Sequence, residues 1–146
     1  MQIDTTRFAT IAIEPDDIIT FPAGLSGLDD CRHWVLLADA RNEALGWLQS
    51  ISRPEVALAV VSPRRFVPDY QLRVARADLQ PLALASPEEA QVLAIVAKND
   101  RAITLNLKAP LVINLRRRLG HQVVHTGDQP LQYEVEALRP ALKLTA

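Results

Sequence analysis

The stretch from Thr104 to Asn114, TLNLKAPLVIN, constrains the fold more than any other. Leu105 and Leu107 alternate with Thr104, Asn106 and Lys108, the period of a strand with one buried face. Pro110 then interrupts the pattern. It has no N–H to give to a ladder, so the chain must bulge, cross an edge or change sheets there. A second apolar run, Leu111-Val112-Ile113, follows at once and ends in Asn114. A strand, a proline break and a second strand within eleven residues predict a corner of a barrel or sandwich.

The rest of the chain repeats this grammar of short apolar runs stopped by proline or glycine. Gln2–Thr5 and Phe8–Ile13 read as two strands around a turn. Ile18–Phe21 is a short strand stopped by Pro22, and the loop PAGLSGLDD (22–30) follows, its leucines tucked onto the core. Strands are expected at Trp34–Ala38, Leu45–Ser50 and Val56–Val61. The last is apolar enough to be covered on both faces. Ser86-Pro87-Glu88-Glu89 has the cap, the proline and the acids of a helix start, so one helix of one or two turns is expected there. Val92–Val96 and Ile103–Leu107 read as strands joined by a hairpin turn at Lys98–Arg101. Gly120 reads as a break, Gln122-Val123-Val124 as a paired segment and Leu131–Val135 as a last strand. The sum is an all-β, antiparallel barrel-like or sandwich domain over residues 1–135 with one short helix, and a tail over 136–146.

At 146 residues the chain is long enough for one ordinary domain and its core. Its net charge of −1 argues against a general electrostatic nucleic-acid binder. The charge is uneven, however. Residues 1–50 carry eight acids and three bases, whereas residues 101–146 carry seven bases and three acids. An acidic N-terminal face would suit a basic partner. The single cysteine, Cys31, permits no internal disulfide. No run has the length of a membrane span, and the first residues lack the pattern of a signal peptide. The expected setting is the cytosol.

No motif announces chemistry. Gly24 and Gly27 lack the Gly-Lys-Ser/Thr element of a phosphate loop, and Ser26 is not in a GxSxG elbow. His121 and His125 share a strand face by spacing, but no third ligand stands near them, so no metal is expected. Arg116-Arg117-Arg118 reads as solvated edge charge rather than an RNA contact. A binding protein is favoured over an enzyme by elimination. The alternative is a barrel that holds a small molecule or metal.

Several blocks together resemble the FliW family of flagellar assembly factors. They are ITFPAGLSGLDD (19–30), LGWLQS (45–50), VALAVVSP (56–63) with Asp69-Tyr70 after it, the run Ile103–Asn114, and Gln122-Val123-Val124. The resemblance extends from Ile3 to about Tyr133. It implies a monomeric, cytoplasmic β-barrel without cofactor or enzyme activity that acts as a flagellin chaperone. Family members bind flagellin near its C-terminal helical end. They also bind and antagonise the RNA-binding translational regulator CsrA, which links flagellin level to translation of its mRNA. An amphipathic helix needs an apolar groove with polar rims. Phe21, Leu25, Trp47 and Pro110 are the candidates for its wall, because their blocks end strands at loops. Gln49, Asn106, Lys108 and Asn114 are the candidates to cap or orient the helix.

Overall fold

Residues 1–136 are described by a computed structural model, and eleven strands run through them. Strands β1 (Gln2–Thr5) and β2 (Ala9–Ala12) form a separate hairpin. The barrel strands are β3 (Ile18–Thr20), β4 (His33–Ala38), β5 (Leu45–Ser50), β6 (Ala57–Val61), β7 (Ala90–Lys98), β9 (Leu111–Asn114) and β10 (Leu119–Gln122). Following their pairings returns to the start: β7–β6–β5–β4–β3–β10–β9 and back to β7, a closed seven-stranded circuit. Every pair is antiparallel except β10 with β3, which meet in parallel at Leu119 and Thr20. Closure spares the seven circuit strands an open side of the barrel, the usual hazard of a strand-rich chain. Short strands β8 (Ile103–Leu105) and β11 (Tyr133–Glu134) extend from β7 outside the circuit.

The expected corner at Pro110 is a bulge instead. Ile103–Leu105 pairs with the second half of β7 (Lys98 to Val96), and Leu111–Asn114 pairs with its first half (Leu93 to Ala90). The whole stretch therefore runs along one partner strand. Residues 106–110 loop out where β7 turns its other edge to β6, at Ala94 and Ile95. Several of the loop's polar groups find partners, as burial demands. Asn106 Oδ1 accepts from Lys108 N and Ala109 N, Val123 N donates to Pro110 O, and His125 N donates to Lys108 O.

Alternation along β5 and β6 separates two cores. Leu48 and Val60 join Phe21, Trp34, Leu93, Leu111 and Ile113 inside the barrel. Their neighbours Trp47 and Val61 face outward and are covered by Tyr70, Ile103, Leu105 and Leu107. Continuous apolar runs were the sign of this two-sided burial. The β1–β2 hairpin lies on Val35 through Ile3 and Ile13.

Two further expectations are corrected. The Ser86 cap is real, with Ser86 and Glu89 closing a capping box, but the helix stops after one 3-10 turn, Pro87–Glu89. From Ala90 onward the apolar run with Val92, Ile95 and Val96 takes the backbone into β7, where pairing with β9 outweighs the helix signal. The α-helix is a single turn elsewhere, α1 (Arg76–Leu79), with no side-chain cap. Gly120 does not break the chain; it sits inside β10 opposite Ile113. The tail expected over 136–146 lies outside the described residues beyond Glu136. No helix among the described residues is long and apolar enough to cross a membrane.

Candidate functional site: a groove under a strap

Between β6 and β7 the chain leaves the barrel and returns as a strap, residues 71–85, laid over the outside of β9 and β10. Fully buried Leu82 holds it, packed on Val112 and Val123 with Leu72, Val74, Leu79 and Leu84 around them. Burying one leucine stabilises such a contact by about 2 kcal/mol. Polar ties do the rest. Asn114 Nδ2 donates to Leu82 O at 2.9 Å. His125 Nε2 donates to Gln71 O at 2.7 Å, and Thr126 N donates to Arg73 O at 2.7 Å. Tyr70 Oη donates to Leu107 O at 2.8 Å, and burial pushes this phenol up to about 12.

The strap does not seal against the barrel. An open groove of about 1230 Å³ runs between it, the turn at Ser62–Arg64 and the first residues of β7. Leu79, Leu84, Val92 and Val112 supply apolar wall, and Arg64 and Arg76 are its charged residues. Glu89, the last residue of the turn before β7, accepts from Ala85 N and Ser86 N and lies 3.6 Å from Arg116. The Ala85 hydrogen bond is the main cause that lowers its carboxyl from the ordinary value.

The residues chosen from the sequence lie elsewhere. Phe21, Leu25, Trp47, Gln49, Pro110 and Asn114 are buried, while Asn106 and Lys108 are half-buried. Phe21 and Leu25 fill the barrel. Trp47 is wedged under the first hairpin's turn: its Nε1 donates to Asp39 Oδ1 at 3.0 Å, and the Arg7 guanidinium lies 4.3 Å from its ring centre. Gln49 Nε2 faces the carbonyls of Ser50, Pro54 and Val56, and its Oε1 has no partner. Lys108 Nζ donates to His125 O and Gly127 O, both at 2.8 Å. Asn114 ties the strap through Leu82 and also accepts from Arg116 N and Arg117 N. None of the eight lines the groove, but Asn114 and Lys108 brace its wall, one directly and one through the His125 segment.

His125 is buried with both ring nitrogens engaged, because Gly127 N donates to its Nδ1 at 2.8 Å. That fixes the ring hydrogen on Nε2 and leaves neither nitrogen for a metal. No group of three or more His, Cys, Asp or Glu among the described residues is placed to hold a metal ion.

The FliW protein family profile matches residues 2–136. The chain belongs to the FliW family. Among its curated relatives is a Flagellar assembly factor FliW of Bdellovibrio bacteriovorus, 37% identical over 126 residues, which covers 85% of this chain and 72% of the relative. The Flagellar assembly factor FliW of Natranaerobius thermophilus is 36% identical and covers 88% and 87%. A solved structure, "Crystal structure of the flagellar assembly factor FliW", superposes with a TM-score of 0.82 at 27% identity and covers 93% of this chain and 96% of that one. The barrel is thus a family property. The groove escaped sequence reading because its lining is gathered from the turn at Ser62–Arg64, the strap, the first residues of β7 and Val112 of β9, which no single stretch of sequence holds together.

Proposed function

We propose that this chain is a flagellar assembly factor that works by binding, as a monomeric cytoplasmic chaperone of flagellin and an antagonist of the translational regulator CsrA. The observation that carries the reading is family membership over residues 2–136. The groove adds a surface of suitable shape, an open apolar channel into which one face of flagellin's C-terminal helical end would lie. Of the eight residues selected from sequence, Asn114 and Lys108 serve this site by bracing its wall, and Phe21, Leu25, Trp47, Gln49, Asn106 and Pro110 keep the barrel that carries it. The regulator, an RNA-binding protein, would be drawn to acid rather than to arginine. Glu14, Asp16 and Asp17 are exposed on one turn, and none takes part in an ion pair among the described residues. Two partners on one small protein then become a switch if binding of one weakens the other. Affinity capture with the tagged chain from cells making flagellin tests the chaperone half. Flagellin recovered in near-stoichiometric amount supports it; recovery no greater than with the tag alone rejects it.

A further inference from the structure

The groove's charge identifies what kind of helix it takes. Both charged residues that line it are arginines, Arg64 and Arg76, and no Asp or Glu lines it. Both are exposed. Three other arginines do pair with carboxylates: Arg53 with Asp30 and Glu55, Arg65 with Glu43, and Arg116 with Glu89. Neither Arg64 nor Arg76 enters any ion pair among the described residues. Arg64 is also held in place, since its Nε donates to Tyr70 O at 2.9 Å. Two unneutralised guanidinium groups beside an apolar channel form an electrostatic preference awaiting its complement.

The space fits a helix better than a small molecule. Small-molecule pockets usually enclose about 300–1,000 Å³, and this groove is both larger and open. A helix about 10 Å across would lay one face along an opening of this kind.

We infer that the groove binds an amphipathic partner helix whose apolar stripe is flanked by carboxylates, with Arg64 and Arg76 reading the flank. The inference rests on the groove being the partner site proposed above. It adds the feature by which one helix is preferred to another. Arginine suits this role because its planar fork meets a carboxylate through two hydrogen bonds.

Two synthetic 18-residue helical peptides test it, with the same leucine stripe and either glutamate or lysine along its flanks. Titrated by fluorescence anisotropy into the full chain, the glutamate peptide should bind at least tenfold more tightly. Its affinity should fall as salt rises, and its amide shifts should map to Leu79, Leu84 and Val92. The double variant Arg64→Glu, Arg76→Glu should reverse the preference. Arg76→Glu alone should weaken it and melt at the parent temperature, whereas Arg64→Glu also gives up the bond to Tyr70 O and should melt slightly lower. Equal affinity for the two peptides, an unchanged preference in the variant, or shifts confined to another face would overturn the inference. So would a homodimer in sedimentation that the variant dissolves, which would assign the groove to a second copy. A flagellin C-terminal segment is titrated in parallel. If flagellin binds chain and variant equally, the charge rule fails and the chaperone reading stands. If the peptides behave as expected and flagellin does not bind, the chaperone reading fails and the groove's preference stands.

Discussion

Gly120 lies against the ring of Phe21 so closely that a Cβ at position 120 would stand 2.3 Å from Phe21 Cζ. Phe21 is fully buried at the barrel centre and has no room to swing away. This contact lies where β10 meets β3, the parallel seam that closes the barrel. Gly120→Ala should therefore destabilise the protein by about 1–3 kcal/mol, the usual effect of overpacking a core. Pairing it with Phe21→Leu should recover part of the loss. Chemical denaturation of the two single variants and the double variant measures the coupling; additive losses would show that the two residues do not press on each other.

The strap depends on one buried amide. Asn114→Ala leaves the Leu82 carbonyl without its donor and the Arg116 and Arg117 amides without their acceptor. An unsatisfied buried group costs about 1–3 kcal/mol, so a loss of that order is expected. Its signature is local: limited proteolysis within residues 71–85 should accelerate while barrel amides stay protected from exchange. Uniform loss of protection would mean that the strap and barrel unfold as one.

Alkaline stability should report on Tyr70. Its phenol ionises near pH 10 when unfolded and at about 12 when folded, because burial disfavours the charged form. The raised value means that this contribution is complete below pH 10 and is lost as pH rises toward 12. Tyr70→Phe should flatten the fall in stability across that window. At neutral pH it should cost about 1 kcal/mol through the lost bond to Leu107 O. Urea midpoints of parent and variant from pH 8 to 11.5 decide it; parallel curves would contradict the assignment.

Zinc should do little. His125 spends both ring nitrogens on Gln71 and Gly127, and His121 lies in β10 with no metal-ligating group of three gathered near it among the described residues. Neither added zinc nor a chelator should shift the melting temperature by more than a degree or so, whereas His125→Ala should lower stability by about 2 kcal/mol as a buried clamp is removed. A metal-induced rise in melting temperature that His125→Ala abolishes would revive the metal-binding alternative.

What the sequence made legible follows from how local each signal is. The strands at 45–50 and 57–61 declare themselves through apolar runs that are independent of distant residues. The loop after Pro22 does so as well: Gly24 sits at φ +70° with no room for a side chain against Asp29, and Leu25 turns inward. Ser86 to Glu89 misled because a capping box specifies how a turn begins and not how long it continues. Gly120 misled because its reason, the Phe21 ring, is 99 residues away in the chain. Trp47, Gln49 and Asn114 drew attention as polar or aromatic residues near loops, yet their polar atoms face the protein's own backbone or Asp39. The groove was invisible because it is made by what a strap fails to cover, a property of tertiary packing alone.

The central claim is that this chain acts by holding partner proteins. Isothermal titration tests it most directly, with a flagellin C-terminal segment added to the purified chain and the CsrA regulator added afterwards to the same cell. The account predicts saturable binding of the flagellin segment, and regulator binding that is weaker in its presence than in its absence. Titrations showing no heat with either partner across temperatures, confirmed by absence of a complex in sedimentation, would contradict it.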